Sequence, residues 1–213
     1  MDAAATSGGE AIARRSPAGT AGPVMWLCGP TGVGKSTAGF DLFQRHVLSA
    51  GIAGAFVDLD QIGFYQAASP VNLTDHQMRA RILAGMWRGF RAAGAACLVV
   101  VGPAESPAAI TTYARALPAA TFTICRLHAP AKELTRRIML RGRGGNWAQP
   151  GDPLRGRTAA YLAAVADRAA ADARILDREA VGDLRIDTAR RTAEQTADAI
   201  IDRTGWPAGP RPH

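Results

Sequence analysis

The chain has no long apolar run and few cysteines, and each shortage excludes a class of protein. No apolar stretch approaches the roughly 20 residues that a membrane-spanning helix requires, so we expect no membrane segment. The stretch before residue 23 contains no compact apolar core, so we expect no secretory signal there. The three cysteines form no CxxC pair and lie in apolar runs. They predict buried free thiols and a cytoplasmic protein.

Lysine is also scarce, although the chain is basic. Only Lys35 and Lys132 are lysines among the 25 basic residues, and 18 acidic residues leave a net charge of +7. This balance favours an anionic ligand or nucleic acid as a partner. Apolar residues make up 47% of the chain, which is enough for a core and excludes a chain disordered throughout.

The order of apolar and helical segments predicts an α/β fold. We expect a flexible tail over residues 1–22, one domain over 23–206 and a second flexible tail over 207–213. Apolar bursts alternate with helical patterns, as in a parallel sheet covered by helices. The bursts cover residues 24–28, 53–57, 97–101, 121–127 and 184–186. The helical patterns cover residues 35–49, 75–93, 107–117, 131–141, 158–172 and 192–204.

Residues 29–36 read Gly-Pro-Thr-Gly-Val-Gly-Lys-Ser and match the phosphate-loop pattern G-x-x-x-x-G-K-[ST]. In this composition the pattern arises by chance in roughly 0.2% of chains of this length. The loop follows an apolar strand and opens a helix, so its backbone N–H groups and the helix N-terminus both favour phosphate. It predicts an ATP site formed by Gly29, Thr31, Gly32, Val33, Gly34, Lys35, Ser36 and Thr37. The alternative is a glycine-rich turn without a ligand.

Individual side chains of this loop have distinct expected roles. Lys35 should reach the β- and γ-phosphates and act in catalysis, and Ser36 should offer its hydroxyl to Mg²⁺. Thr37 should add a contact near the α-phosphate.

Two carboxylates follow the second apolar burst. The third burst ends in Gly102-Pro103 and lacks the acidic residue of a conventional Walker B strand. Asp58 and Asp60 are two residues apart and would face the same side if the strand continued through them. One carboxylate would hold Mg²⁺, and the other would accept the proton of an attacking hydroxyl. The alternative is a solvated, aspartate-rich strand end.

A cluster of arginines follows the fourth burst and predicts a lid over residues 137–157. Arg137 and Arg141 share a helix face at i, i+4, where like charges repel unless an anion lies between them. Arg143 follows, and then a glycine- and proline-rich stretch that is long for a connector. A lid of this kind would neutralise a migrating phosphoryl group and exclude water. The alternative is an ordinary solvated arginine face.

The phosphate loop, the Asp58/Asp60 pair and the arginine-rich lid together resemble small phosphate-loop kinases over about residues 24–204. The similarity is to the adenylylsulfate kinase, shikimate kinase and chloramphenicol phosphotransferase group, and more closely to actinobacterial AAA-family ATPase-like proteins. It implies a three-layer α/β/α fold of the P-loop NTPase kind, with a five-stranded parallel sheet in the order 2-3-1-4-5, and ATP with Mg²⁺ as cofactors.

The resemblance also implies roles for single residues. Asp58 corresponds to the Mg²⁺-side acid and Asp60 to the general base. Arg141 matches the lid arginine over the nucleotide. The segment that borders the adenine corresponds to residues 187–190, with Thr188 and Arg190 as its contacts.

The chain departs from the adenylylsulfate kinase pattern around the acceptor. Leu59 stands where a glycine is usual, and Gln61-Ile62-Gly63-Phe64 replaces Asn-x-x-Arg, which argues against adenylylsulfate as the substrate. Residues 61–74 would form the floor of the acceptor pocket through Phe64, Tyr65, Gln66 and Asn72. The aromatic side chains favour an acceptor with a flat or apolar part, and the alternative is that they belong to the core. From the second helix, either Arg79 or Arg81 can reach an anionic acceptor.

The sequence leaves three functions open. The first is a kinase that transfers the γ-phosphoryl group of ATP to a hydroxyl of a metabolite, nucleotide or antibiotic. The second is an ATP- or GTP-hydrolysing protein, which usually needs the missing Walker B acid. The third is a nucleic-acid 5′-hydroxyl kinase or binder, which the scarce interleaving of aromatic and basic residues does not favour. We expect a monomer or homodimer without a membrane partner.

Overall fold

The computed structural model describes residues 22–62, 75–145 and 152–207. Phe64, Tyr65, Gln66 and Asn72 lie outside the described residues, as do all but one residue of each predicted tail and residues 146–151 of the predicted lid.

Five parallel strands form the single sheet of the described residues. The strands are β1 (Gly22–Cys28), β2 (Gly54–Asp58), β3 (Cys97–Val101), β4 (Ala120–His128) and β5 (Leu184–Asp187). They lie in the order β2-β3-β1-β4-β5, all parallel, which confirms the predicted fold class and strand order. β1 begins at Gly22, which pairs with Ala120, so this residue belongs to the sheet rather than to the predicted tail.

Helices cover both faces of the sheet. They are α1 (Lys35–Leu42), α2 (Asp75–Ala92), α3 (Pro107–Ala116), α4 (Ala131–Gly142), α5 (Ala159–Arg178) and α6 (Ala193–Thr204). Ser106, Thr158 and Thr192 cap the N-termini of α3, α5 and α6, because each side chain accepts a hydrogen bond from a backbone N–H of the first turn. None of the described helices combines the length and the apolar character needed to cross a bilayer.

Alternate residues of the central strands pack into two separate cores. Met25 and Leu27 face the core formed with α1, α4, α5 and α6, whereas Val24 and Trp26 face the core formed with α2 and α3. Each strand is therefore apolar on both sides, as expected for a parallel sheet between helical layers. Cys28, Cys97 and Cys125 are free and buried, as predicted, and burial raises the pKa of the Cys28 thiol to about 12.

Two helices differ from the sequence prediction. The helix predicted over residues 35–49 is α-helical only to Leu42 and continues as a π-helix over Phe43–Leu48. In the π-helix, Arg45 forms an ion pair with Glu194 of α6, and His46 lies 2.9 Å from Asp198 of the same helix. α5 continues six residues beyond the predicted end at Asp172, because its last turns bury Leu176 against the second core.

Candidate functional site

The phosphate loop, residues 29–36, leaves β1 at the C-terminal edge of the sheet and leads directly into α1. Gly34 is the N-cap of α1 with φ of 102°, and no side chain caps this helix end. The N–H groups of Gly34, Lys35 and Ser36 find no acceptor within the described ranges of the chain. Unpaired donors and the positive end of the helix dipole therefore point into the same space, which favours a phosphate group.

The Lys35 ammonium lies folded over the loop that precedes it. Its Nζ donates to the carbonyl oxygen of Gly29 at 2.9 Å and to that of Pro30 at 3.3 Å. Gly29 itself has φ of 143°, and a Cβ atom there would stand 2.6 Å from the carbonyl oxygen of Leu127 in β4. The loop is thus seated against β4, and Gly29 acts through its carbonyl while residues 31–38 line the cleft above.

The buried Asp58 side chain is hydrogen-bonded to Ser36 at the end of the phosphate loop. The Ser36 hydroxyl donates to Asp58 Oδ2 at 2.7 Å, and Asp58 is 5% exposed. Burial raises the pKa of the Asp58 carboxyl, and hydrogen bonds from Ser36 and from the Asp60 N–H oppose this rise.

The Ser36–Asp58 pair fits the ligand preferences of magnesium. Within the described ranges, no group of three or more histidine, cysteine or acidic side chains is placed to hold a metal ion. Mg²⁺ usually needs only one or two protein oxygens, because water and substrate phosphates complete its coordination. A hydroxyl and a carboxylate beside a phosphate loop supply such oxygens, and a cation would offset the cost of the buried Asp58 charge.

Asp60 does not share a strand face with Asp58, because the strand does not continue through it as that prediction required. β2 ends at Asp58, and Leu59 turns inward to the core, with its N–H bonded to the carbonyl of Val101 at 2.8 Å. The N–H of Asp60 donates to Asp58 Oδ1 at 2.9 Å, so the chain turns around the Asp58 side chain. This turn leaves Asp60 exposed, and Asp60 lines the cleft together with Gln61.

Arg137 connects three parts of the site. Its guanidinium donates to the carbonyl of Val33 in the phosphate loop at 3.0 Å. It also donates to the Thr188 hydroxyl at 3.1 Å and to the Thr188 carbonyl at 2.7 Å, and its Nε donates to Glu133 at 2.7 Å. These protein groups hold the Arg137 guanidinium, and an anion between Arg137 and Arg141 stays a prediction.

Arg141 also has a protein partner. Its Nε and Nη2 donate to the two carboxylate oxygens of Asp152 at 3.1 and 2.8 Å, and both side chains are largely buried. Although desolvation opposes the effect, the Arg141 hydrogen bond lowers the pKa of Asp152. Arg141 lines the cleft, but Arg143 is exposed at the C-cap of α4 and is absent from the lining.

The loop between β5 and α6 places Thr188 and Arg191 at the cleft. Thr188 is 4% exposed, and its hydroxyl lies within 3.0 Å of the Val33 carbonyl. Arg190 is exposed and absent from the lining, whereas Arg191 borders the cleft and donates to the Asp187 carbonyl at 2.6 Å. This loop thus reaches the cleft through Thr188 and Arg191, and a contact of Arg190 with the nucleotide stays a prediction.

Several cleft residues escaped the sequence analysis. On α5, the cleft-lining residues are Tyr161, Ala164, Val165 and Arg168, which follow the i, i+3, i+4, i+7 pattern of one helix face. That spacing could have predicted a helix face directed at the site. Arginine is so abundant in this chain that Arg168 did not stand out. Of the two arginines considered on α2, Arg79 lines the cleft and Arg81 is exposed outside it.

A further polar cluster lies next to the α2 side of the cleft. The imidazole of His76, in the first turn of α2, lies 2.7 Å from Glu105 Oε2, in the loop before α3. Its other ring nitrogen lies 3.3 Å from the buried hydroxyl of Tyr113. The hydrogen bond from His76 lowers the pKa of Glu105.

Neither a protein-family model nor a curated protein matches this chain. Solved structures do match over most of its length. The tunicamycin resistance protein of Deinococcus radiodurans is 20% identical with a TM-score of 0.55, over 85% of this chain and 95% of that one. A shikimate kinase from Acinetobacter baumannii, solved with shikimate, is 15% identical with a TM-score of 0.53, over 85% and 92% of the two chains.

The APS kinase of Mycobacterium tuberculosis, solved with AMPPNP and APS, is 21% identical with a TM-score of 0.50, over 86% of this chain and 97% of that one. At these identities the common property is the fold, a parallel five-stranded sheet in the order β2-β3-β1-β4-β5 between helices. The closer resemblance to actinobacterial AAA-family ATPases stays a prediction.

Proposed function

We propose that this protein is an ATP- and Mg²⁺-dependent kinase that transfers the γ-phosphoryl group to a hydroxyl of a small molecule. One observation carries the proposal: Asp58, the last residue of β2, and Asp60, just after it, occupy different environments. Asp58 is buried and bonded to Ser36 of the phosphate loop, whereas Asp60 is exposed and lines the cleft. A metal-side carboxylate and a separate substrate-side carboxylate are what phosphoryl transfer to an alcohol requires.

In this mechanism the phosphate loop binds the triphosphate of ATP. The uncapped N–H groups at the start of α1 hold the phosphate oxygens, and the Lys35 ammonium exchanges its two carbonyl partners for the β- and γ-phosphates. Ser36 and Asp58 would hold Mg²⁺, which neutralises charge on the β- and γ-phosphate oxygens when bound.

The Asp60 carboxylate acts on the acceptor. A hydroxyl of ordinary pKa attacks a phosphoryl group poorly unless its proton has an acceptor. Asp60 is exposed and lines the cleft, where its carboxylate can accept that proton.

Solved structures of similar fold support the proposed class of reaction. They include a shikimate kinase with its bound acceptor and an APS kinase with a bound ATP analogue. We infer the same class of reaction here, phosphoryl transfer to a small hydroxyl compound, and extend neither acceptor to this chain.

The variant Asp60→Asn tests the proposal. It keeps the shape of the side chain but removes the proton acceptor, so kcat should fall about 100-fold or more while ATP affinity stays within a few-fold. Acceptor-dependent ADP release measures kcat, and calorimetry measures ATP binding. Asp202→Asn, an exposed position on α6, is the matched control.

Two outcomes would contradict the proposal in different ways. Normal transfer by Asp60→Asn would remove Asp60 as the base. If no compound raises ADP release above a slow basal rate that Lys35→Ala abolishes, the protein is an NTP-hydrolysing enzyme instead.

A further inference from the structure

Two large hydrophobic residues that remain exposed in this protein line the cleft. In the part of the chain that the structure describes, the exposed large hydrophobic residues are Phe40, Leu48, Leu140, Tyr161 and Ile175. Leu140 of α4 is 36% exposed and Tyr161 of α5 is 47% exposed, and both line the cleft, whereas the other three lie outside its lining. Hydrophobic surface that stays open inside a concave site is typical of a site that binds an apolar group.

These two residues belong to a larger group of apolar residues that line the cleft from α4, from α5 and from the segment between them. We call this group the apolar wall. It consists of Leu140, Pro153, Leu154, Tyr161, Ala164 and Val165. The same cleft is lined by Lys35 and Ser36 of the phosphate loop. One cleft therefore offers a polar surface for phosphate groups and an apolar surface for another part of a ligand.

Tight packing of α4 against α5 holds the apolar wall in place. A Cβ atom at Gly142 of α4 would stand 2.2 Å from Cδ1 of Leu162 in α5, so the two helices are in direct contact two residues beyond Leu140. Leu154 and Leu162 are each 5% exposed and pack in the core that includes α1 and α6. The apolar wall is therefore formed before any ligand binds, which lowers the entropic cost of binding.

The Tyr161 ring is positioned by a cation without being covered by it. The Arg157 guanidinium lies 5.3 Å from the centre of the Tyr161 ring, a distance at which cation and ring attract each other. Arg157 is itself tied to the segment before α5, because its Nε donates to the carbonyl oxygen of Pro153 at 3.0 Å. Tyr161 stays 47% exposed despite this contact. Its ring therefore has surface left for a ligand in the cleft.

One face of α5 connects the apolar wall to the reacting groups. Tyr161, Val165 and Arg168 have the i, i+4, i+7 spacing of one helix face, and all three line the cleft. Arg168 and Lys35 both act on the carboxyl of Asp172, whose pKa burial raises, so the Arg168 end of this face lies near the phosphate loop. Seven residues of helix span about 10 Å. A ligand that lies along α5 can therefore have one end at Lys35 and the other on Tyr161.

The nucleotide has its expected partners on other elements. Its triphosphate is held by the N–H groups at the start of α1 and by Lys35. Its base is expected at the loop between β5 and α6, where Thr188 and Arg191 line the cleft. The apolar wall belongs to α4, α5 and the segment between them, and apolar side chains do not stabilise phosphate groups. The wall is therefore left for the second substrate.

We propose that the apolar wall binds an alkyl or aryl group of the phosphoryl acceptor, so that the acceptor is an amphipathic alcohol. This inference rests on the proposed kinase function and narrows its substrate class. The attacking hydroxyl lies near Asp60, and the apolar group lies about 10 Å away along α5, on Leu140 and Tyr161. Covering these two side chains removes apolar surface from water, which favours binding. The inference does not depend on Phe64 and Tyr65, from which the sequence favoured an acceptor with a flat or apolar part.

The first experiment measures apolar binding without any knowledge of the acceptor. Protein saturated with Mg²⁺ and a non-hydrolysable ATP analogue is titrated with N-phenyl-1-naphthylamine, an uncharged dye that fluoresces in apolar surroundings. One dye molecule should bind, and Leu140→Gln and Tyr161→Gln should each raise its Kd about fivefold or more. Tyr161→Phe keeps the ring and should leave the Kd within about twofold of the wild-type value.

The exposed hydrophobic residues outside the cleft provide matched controls. Leu48→Gln in the π-helix and Ile175→Gln on α5 remove apolar side chains that are 47% and 38% exposed, and the Kd for the dye should stay within about twofold. Equal losses of affinity in these controls and in Leu140→Gln and Tyr161→Gln would show general hydrophobic binding and overturn the proposal. An unchanged Kd in Leu140→Gln and Tyr161→Gln would overturn it as well.

Two further outcomes would assign the apolar wall to another occupant and so overturn the proposal. If the ATP analogue expels the dye, the wall serves the nucleotide. If Tyr161→Gln converts a dimer into a monomer in sedimentation equilibrium, the wall is an interface between two copies of this chain.

The second experiment tests the class of acceptor. Glucose is compared with octyl glucoside, and glycerol with 1-O-octylglycerol, in the ADP-release assay at concentrations below those at which micelles form. The octyl compounds should have a kcat/KM about tenfold or more above that of the parent alcohols. Tyr161→Gln should remove most of this preference by raising KM, while kcat stays within about twofold, because the ring binds the acceptor but does not take part in the transfer.

The outcomes separate the apolar wall from the kinase function. Preference for the parent alcohols overturns the wall as an acceptor site but leaves the kinase function intact. Dye binding of the expected pattern, with no hydroxyl compound that raises ADP release above the basal rate, leaves the apolar site intact and contradicts the kinase function.

Discussion

At the scale of single residues, position in the sequence does not determine role. Asp58 and Asp60 are two residues apart, yet the end of β2 buries one under the phosphate loop and leaves the other in the cleft. Arg137 and Arg141 are both lid arginines by sequence, and both are held by protein groups in the structure. The partner of each side chain decides what it can do.

Asp58→Asn should raise the Mg²⁺ concentration needed for half-maximal activity about tenfold or more, because the neutral amide binds the cation and its coordinated water less strongly. The amide has a single oxygen, so it can accept from the Ser36 hydroxyl or from the Asp60 N–H but not from both. ADP release over a range of Mg²⁺ concentrations measures the effect. An unchanged Mg²⁺ requirement would show that the metal ion lies elsewhere.

Arg137 should act as a positioning residue that joins α4 to the phosphate loop and to Thr188. Arg137→Lys keeps the charge but cannot bridge three acceptors, so it should raise the KM for ATP nearly as much as Arg137→Ala. Both variants should lower the free energy of unfolding by about 2 kcal/mol, because several charge-assisted hydrogen bonds are lost.

Thermal unfolding without nucleotide separates these effects from a purely catalytic role. Arg136→Ala is the control, since Arg136 is 62% exposed and pairs only with Glu133 among the described residues. If Arg137→Lys restores both stability and the KM for ATP, charge alone is the function of Arg137.

At the scale of elements, helix packing on the sheet sets the position of the phosphate loop. α1 packs so closely on β3 that a Cβ atom at Gly39 would stand 2.2 Å from Cγ1 of Val101. The sheet therefore limits the size of the side chain that position 39 can hold, whatever the helix propensity of that residue. By contrast, a Cβ atom at Gly89 of α2 would meet nothing within 4 Å.

The same substitution at these two glycines should have opposite effects. Gly39→Ala should destabilise the protein by about 1–3 kcal/mol and raise the KM for ATP, because α1 must move away from β3. Gly89→Ala should stabilise it by about 0.5–1 kcal/mol, as alanine does in an open helix position. Urea unfolding measures both, and a stabilised Gly39→Ala would contradict the packing described here.

At the scale of the whole molecule, stability should depend on the pH through two kinds of carboxyl group. The fold lowers the pKa of one kind and raises the pKa of the other. The pKa values of Glu105 and Asp152 are lowered in the fold, so these groups stabilise it at neutral pH, and that contribution is lost as the pH falls through their lowered pKa values. The pKa values of Asp58 and Asp172 are raised, so protonation of these two groups favours the fold instead.

Asp152→Asn should therefore lower the free energy of unfolding by about 2 kcal/mol at pH 7, because Arg141 loses its charged partner. The difference from wild type should shrink as the pH falls below the ordinary range of aspartate, where Asp152 becomes protonated in both folded and unfolded states. Urea unfolding at several pH values measures this, with Asp202→Asn as the control. A difference that is independent of pH would show that packing, not charge, is lost.

The sequence by itself determined the layered fold and the phosphate loop. Strands buried on both faces must be apolar throughout, so β1 and β3 were readable as short continuous runs. The phosphate loop is a local structure whose glycines, lysine and serine are adjacent in the chain. Interactions between residues that are close in the chain leave a pattern in the sequence. The apolar strands and the phosphate loop both leave such a pattern.

Only the tertiary structure decided which charged groups are available to a ligand. Arg137 meets Val33 across 104 residues, and Ser36 meets Asp58 across 22. Arg79 of α2 and Arg168 of α5 line the same cleft, although they are far apart in the chain. Only the pairing of Arg137 with Glu133 is visible as a local spacing, because Val33 and Thr188 come to this arginine from distant segments of the chain.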